Sequence, residues 1–192
     1  MSLNPIAHFN RWFRAAVSAG APLPEAMALA TADTRGRPSV RYMLLKHADA
    51  RGFVFYTNLA SRKGPELLAN RHAAMAFYWD AIGKQVRVEG RVELVPAEEA
   101  DAYWATRPRD SQLAGAVSRQ SQPIASHALL LQRWRLLRRE LGSQDVPRPD
   151  GWTGFRLIPR RVEFWTRGDH RLHRRELYTR TKSGWKQLLL QP

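Results

Sequence analysis

The sequence predicts an α+β fold, mainly antiparallel β, in which a barrel carries helices set between its strands. Three observations lead there. Short, apolar, β-rich runs recur at close spacing, separated by turn signals such as TRGRP and HADARG. One longer stretch, 84–95 (KQVRVEGRVELV), alternates apolar and polar residues as a half-buried antiparallel strand does. Helical periodicity is confined to a few segments. The total is about seven to nine strands joined mostly by short turns, which is the pattern of an antiparallel barrel. A chain of 192 residues reads as a single domain, 1–192, with room for a proper core.

Taken in order, Asn4 and Pro5 read as an N-cap and a first helical residue. Ile6, Phe9, Phe13, Ala16 and Val17 follow at helical spacing and predict a helix over 5–19, closed by Gly20. Pro22 and Pro24 then break the chain, so 1–24 is helix and linker. Strands are expected at 27–33, 39–46, 52–58 and 73–80. The insert SRKGPELLAN holds a short helix capped by Ser61, with Arg62 and Lys63 in its first turn. Cations there oppose the helix dipole, so either a bound anion compensates them or they are simply solvated.

Within 84–95, Val86, Val88, Val92 and Leu94 face one way, while Gln85, Arg87, Glu89, Arg91 and Glu93 face the other. Gly90 marks a bulge or a close backbone approach. Pro96 opens a helix that ends at Arg107, before Pro108. Asp110 or Ser111 is expected to cap the next helix. Residues 127–141 form a leucine-rich helix with Arg133, Arg135, Arg138 and Arg139 toward one side, read as a solvated basic face. GSQDVPRPDG is a loop, and strands at 153–158, 161–165, 171–181 and 185–190 complete the barrel within 151–192.

Composition removes several classes. No cysteine means no disulfide, no thiolate catalysis and few routes to structural zinc. No apolar run spans a bilayer, and the N-terminus lacks a signal peptide's apolar core, so the expected location is cytoplasmic. The 31 Lys+Arg against 17 Asp+Glu give a net charge of +14, which draws anions of several kinds: nucleic acid, membrane surface or phosphorylated small molecules. There is no GxGxxG after a strand, no GxxxxGK[ST] and no HExxH, and His170 and His173 would point to opposite faces of a strand, so no metal is expected.

What remains is a dispersed set of phosphate-type donors. The densest stretch is 103–122, YWATRPRDSQLAGAVSRQSQ, which places Arg107, Arg109, Ser111 and Gln112 around the start of a helix. It is either an anion site or a basic surface turn. Arg41, Lys46, Arg62, Lys63, Gln120, Ser121, Arg171 and Arg175 add further donors, with Tyr56, Tyr103 and Trp165 nearby in sequence. Converging donors and flat rings suit a phosphorylated aromatic ligand. No side chain offers an activated nucleophile, which leaves electron chemistry to a bound cofactor.

Six blocks carry a resemblance: RYMLLK (41–46), FVFYTNLASRKGPELLAN (53–70), KQVRVEG (84–90), RPRDSQLAGAVSRQSQ (107–122), GFR (154–156) and EFWTRGDHRLHRRELYTR (163–180). In this order they resemble the pyridoxine/pyridoxamine 5′-phosphate oxidases. The resemblance implies an FMN-binding split β-barrel that works as a homodimer, with FMN at the subunit interface. It implies that Arg41, Tyr42, Met43, Leu44, Leu45 and Lys46 run along the FMN. Tyr56, Thr57, Arg62 and Lys63 would hold the ribityl phosphate region. Gln85, Gln120, Ser121, Trp165 and Arg175 would complete that site. Lys46, Tyr103, Arg107 and Ser111 correspond to the substrate-phosphate clamp, and Arg171, Leu172 and His173 to the substrate-ring contact, Arg171 and His173 in the catalytic role. The implied reaction moves a hydride from C4′ of the phosphorylated B6 vitamer to FMN N5. Dioxygen takes the electrons, giving pyridoxal 5′-phosphate and hydrogen peroxide.

Three departures from the family pattern bear on the substrate. The sequence starts almost at the first helix, so the family's basic, tyrosine-containing lid is either missing or lies outside this sequence. Arg174 stands where the family usually has Asp after the RLH triplet, and Leu189 stands in place of an arginine near the end. Two other readings compete. One is a related flavin oxidase of the phenazine-pathway type, against which Lys46, Tyr103, Arg107 and Ser111 argue together. The other is a flavin- or nucleic-acid-binding barrel without turnover, which the +14 charge favours. The matched blocks already give that charge ligands to hold, so nucleic acid and membrane are not the expected partners.

Overall fold

A computed structural model describes residues 4–192; residues 1–3, at the start of the expected N-terminal helix and linker, lie outside it. The described elements are, in order, α1 (Pro5–Ser18), β1 (Ala26–Ala32), β2 (Pro38–Leu44), β3 (His47–Asp49), β4 (Gly52–Asn58), α2 (Lys63–Ala69), β5 (His72–Trp79), β6 (Lys84–Leu94), α3 (Ala97–Ala105), α4 (Arg109–Val117), α5 (His127–Leu141), β7 (Trp152–Thr166), β8 (Arg174–Thr181) and β9 (Gly184–Leu190). The strands form one nine-stranded sheet, ordered β2-β1-β5-β6-β7-β4-β3, with β8 pairing β7 and β9. The pairs β1–β2, β1–β5, β3–β4, β5–β6, β7–β8 and β8–β9 are antiparallel. This curled antiparallel sheet with its helices is the expected α+β split barrel.

The chain divides into two compact units. The first comprises Met1–Phe55, Glu66–Glu93 and Arg156–Pro192; the second comprises Tyr56–Pro65 and Leu94–Phe155. In the first, α1 begins as its sequence dictates: Asn4 accepts from Ala7 N at 3.0 Å and Pro5 occupies the first turn. The helix buries Ile6, Phe9, Trp12 and Ala16, and Phe9 sets its ring 5.0 Å from both Phe53 and Phe77. Val17, counted on the apolar face from spacing, is exposed. Alternation in β6 buries Val86, Val88 and Val92 as expected, whereas Leu94, expected on the same face, is exposed at the strand's end. Gly90 is a close approach: a Cβ there would lie 2.0 Å from Ile158 O.

The second unit packs Trp104, Leu113, Val146 and Trp152 into its own core. Trp104 Nε1 donates to Val146 O at 2.8 Å, which ties α3 to the loop after α5. Ser126 caps α5 by accepting from Leu129 N.

Four expectations need correction. The strands expected at 153–158 and 161–165 are one strand, β7, which continues through Pro159; pairing with β8 begins only at Arg161, so the proline's missing donor breaks no bond of that ladder. The HADARG turn contains a short strand, β3, paired back on β4. The helix start expected at Asp110 or Ser111 lies earlier: Pro108 is the extended N-cap of α4 and Arg109 its first residue. Finally, β8 starts at Arg174, not Arg171. His170 and Arg171 instead adopt left-handed conformations, φ 52° and 65°, in a tight turn over Asp169–Arg171. That turn needs Gly168, where a Cβ would meet Leu172 O at 2.2 Å.

Candidate active site

The residues expected at the site are divided between the two units. In the second, β4 ends in Tyr56, Thr57 and Asn58, and the chain turns at Ser61 into α2. Lys63 at its start is buried, 4% exposed, not solvated. Its Nζ donates to Thr57 Oγ1 at 3.0 Å, Ser61 Oγ at 3.1 Å and Gln120 Oε1 at 3.3 Å. Gln120 Oε1 also accepts from Thr57 Oγ1 at 3.1 Å, so residues far apart in sequence meet at one point. Arg62 beside them is exposed, as is Ser121, whose φ of 69° is left-handed.

Nearby in the same unit the aromatics form a stack. Tyr56 lies 4.0 Å from Tyr103 with the rings 13° from parallel, and 5.2 Å from Trp152 at 7°. Arg107 is half-buried, its guanidinium 5.1 Å from the Trp104 ring and 4.9 Å from Trp152. Its Nη2 donates to Ser111 O at 2.9 Å. Burial draws the Arg107 guanidinium down from its ordinary value, and Tyr103 opposes that. Gly115 gives this arrangement its space, since a Cβ there would sit 3.1 Å from the Trp104 ring. A cavity of about 590 Å³ opens beside Arg107, Thr57 and Gln120, walled on its apolar side by Leu130, Leu131 and Trp134 of α5.

Not every donor of the 103–122 stretch faces a ligand. Arg109 turns to the C-terminal end of α5, donating to Gly142 O at 2.8 Å and Gln144 O at 2.7 Å. Gln112 Nε2 donates to Trp104 O at 2.8 Å. Arg107 and Ser111 stay together, joined by the Nη2 to Ser111 O hydrogen bond. Arg109 and Gln112 are structural, which sequence spacing did not distinguish.

In the first unit, Val40, Tyr42 and Leu44 cover the exposed face of β2, with Tyr42 81% exposed. Met43 and Lys46 are half-buried and Leu45 is buried. Arg41 lies on the opposite face from Tyr42, among Leu29, Thr31, Ser39 and Glu66. Gln85 is half-buried opposite Tyr78. Trp165 pairs with Arg175 across β7 and β8, and its ring lies 4.6 Å from that of His173. His173 Nδ1 accepts from Gly168 N at 3.2 Å. Arg175 grips Glu163 with Nε at 2.8 Å and Nη2 at 3.2 Å, and that carboxylate raises its already high pKa. Arg171 and Leu172 stand exposed at the turn.

Sequence reasoning missed Glu163, Glu66 and Trp152, none of which has a local signal. Glu163 and Glu66 are carboxylates in otherwise apolar strand and helix contexts, and their partners are distant in the chain.

The donors fit FMN. A buried ammonium gathered with the Thr57 and Ser61 hydroxyls and the Gln120 amide is a donor set of the kind that binds phosphate.

Comparison with known proteins agrees. Residues 13–138 match the family described as Pyridoxamine 5'-phosphate oxidase. Residues 152–192 match the Pyridoxine 5'-phosphate oxidase C-terminal dimerisation region. A pyridoxine/pyridoxamine 5'-phosphate oxidase of Rubrobacter xylanophilus is 50% identical over 189 residues, covering 98% of this chain and 87% of that protein. One of Gluconobacter oxydans is 46% identical over 192 residues, covering 100% and 96%. The crystal structure of PhzG from Burkholderia lata 383, in complex with tetrahydrophenazine-1-carboxylic acid, superposes with a TM-score of 0.94 at 34% identity, covering 98% of this chain and 93% of that one. Among the described residues no helix is long and apolar enough to cross a membrane. The chain therefore belongs to the pyridoxine/pyridoxamine 5′-phosphate oxidase family, as an FMN-dependent oxidoreductase of the split-barrel fold that forms a homodimer and whose residues 152–192 are the dimerisation region.

Proposed function

We propose that the protein oxidises pyridoxine 5′-phosphate or pyridoxamine 5′-phosphate to pyridoxal 5′-phosphate in the cytoplasm, with dioxygen as electron acceptor and hydrogen peroxide as product. The amine substrate also consumes water and releases ammonia. The observation that carries this reading is Arg107, a guanidinium desolvated between two indoles and set beside a tyrosine stack. That combination recognises a phosphate attached to a flat ring. Lys46, Tyr103 and Ser111 complete the clamp on the substrate phosphate.

FMN, when bound, supplies the two-electron acceptor chemistry that no side chain here offers. Tyr56, Thr57, Arg62, Lys63, Gln120 and Ser121 hold its phosphate end, and Arg41 to Lys46, Gln85, Trp165 and Arg175 line the rest. The chain's own contribution is position: it fixes the reacting carbon of a ring whose far end is clamped. Arg171 and His173 orient the substrate ring. Because His173 Nδ1 accepts from Gly168 N, the neutral imidazole carries its proton on Nε2, which serves as a donor to a ring substituent.

The likeness to PhzG supports a second reading, oxidation of a reduced phenazine precursor. Such a substrate has no phosphate and offers only its carboxylate to Arg107, so it does not need the full set of Lys46, Tyr103, Arg107 and Ser111. Anaerobic addition of pyridoxamine 5′-phosphate to the yellow holoenzyme separates the two. Bleaching of the flavin band, with pyridoxal 5′-phosphate formed, is expected. No bleaching with that substrate, but bleaching with a reduced phenazine carboxylate, overturns the B6 reading.

A further inference from the structure

Beneath β2, Arg41 of the proposed flavin site sits in a polar cluster whose other members, Thr31, Ser39 and Glu66, that site does not include. Leu29 and Thr31 of β1 stand opposite Arg41 and Ser39 of β2, so all four share one face of the sheet. It is the buried face: Leu29 is fully buried and Thr31 is 3% exposed. Arg41 Nη1 donates to Leu29 O at 3.3 Å and Thr31 Oγ1 at 2.6 Å, and its Nη2 donates to Ser39 Oγ at 2.5 Å and Glu66 Oε2 at 3.3 Å. Glu66, from α2, is 7% exposed. The same Oε2 accepts from the hydroxyls of Thr31 and of Ser39, the latter at 2.7 Å.

Stability alone does not account for this arrangement. A buried ion pair contributes little over apolar residues of the same volume, because desolvation offsets the attraction. What the cluster does achieve is orientation. Four acceptors commit both terminal nitrogens of Arg41 to the protein, and they leave Nε as the guanidinium nitrogen without a protein acceptor among the described residues. A flexible side chain on an edge strand becomes a fixed one. Its charge is met locally by the Glu66 carboxylate.

We infer that Glu66 is a positioning residue for FMN, acting through Arg41, with the Thr31 and Ser39 hydroxyls completing the clamp. The inference rests on the reading of β2 as part of the flavin site. It predicts that removing the carboxylate releases Arg41 and weakens FMN binding, although Glu66 itself need not touch the cofactor.

The test is a titration of apoprotein with FMN, followed by quenching of flavin fluorescence, for the wild type, Glu66→Ala, Glu66→Gln, Arg41→Lys and the double variant Arg41→Lys/Glu66→Ala. Glu66→Ala is expected to raise the FMN Kd about tenfold, the scale of one charge-assisted hydrogen bond. Glu66→Gln keeps the shape and an acceptor and is expected to recover part of that loss. The two lesions should be non-additive, since both act through one guanidinium. Ser39→Ala, which removes one tie and leaves the carboxylate, is expected to give a smaller rise and covers the case in which Glu66→Ala does not fold. If Arg41→Lys leaves the Kd unchanged, the reading of Arg41 as a flavin residue fails and takes this inference with it. If Arg41→Lys weakens FMN while the Glu66 and Ser39 variants stay within twofold of wild type or bind more tightly, the positioning role alone is overturned. Full additivity of the double variant overturns it as well.

Discussion

Arg107 illustrates how a single side chain is prepared for a phosphate. Two indoles remove water from it, and one backbone carbonyl fixes its plane. A charge-assisted contact of this kind is worth ~1.5–3 kcal/mol. Arg107→Ala is therefore expected to raise KM for the phosphorylated substrate by about ten- to a hundred-fold, with FMN content unchanged. Loss of flavin with KM unaltered would show that the two phosphates are assigned the wrong way round. Arg174, the departure from the family pattern, presents the opposite case. Its side chain is 67% exposed and pairs with Glu176 at 2.9 Å, on the strand position next to Arg175. Exposed pairs contribute ~0–1 kcal/mol, so Arg174→Asp should change kcat/KM by less than about tenfold. A larger change would place Arg174 in the site and reopen the question of substrate.

At the scale of elements, two contacts have measurable consequences. β6 and β7 approach so closely at Gly90 that any side chain collides with the Ile158 carbonyl. Gly90→Ala should cost ~1–3 kcal/mol, read as a lowered urea midpoint at unchanged slope. The second contact is His8 on α1, stacked 3.9 Å from Phe164 and edge-on to Trp12 and Tyr178. Burial lowers its pKa from 6.5, helped by Arg11 and Lys84 and opposed by Glu176. The unfolded chain then binds the proton more readily than the native one. The stabilising effect of neutral His8 is present above about pH 6.5 and is lost as pH falls below it through the lowered native value. Tm should decline over that window, and His8→Gln should flatten the decline; equal slopes for the two proteins would mean His8 is not the titrating group.

For the whole molecule, the dimer is expected to be the unit that holds the cofactor. The expected flavin set is drawn from many segments, and the family's dimerisation region spans residues 152–192, including Trp165 and Arg175. One FMN per chain is expected, lost on dilution to monomer. Sedimentation monitored at the flavin band checks it, and a monomer that keeps stoichiometric FMN would mean each chain holds its cofactor alone.

The sequence by itself determined the elements whose signals are local. Asn4 with Pro5 fixed where α1 begins, because a capping side chain reaches only three residues along. Strict alternation fixed which face of β6 is buried, since the pleat repeats every two residues. The six matched blocks fixed the family and, with it, FMN. Tertiary structure decided what each polar group does, because its partner lies elsewhere in the chain. Arg41 meets Glu66 across 25 positions, and Arg109 meets Gln144 across 35. It also decided that Asp169–Arg171 is a tight turn, left-handed at His170 and Arg171, and not part of a strand. Gly168 permits that turn, but only packing against the Leu172 carbonyl requires it. Charge patterns along a sequence show that donors exist; whether a donor faces a ligand or a neighbouring carbonyl depends on distances that no periodicity encodes.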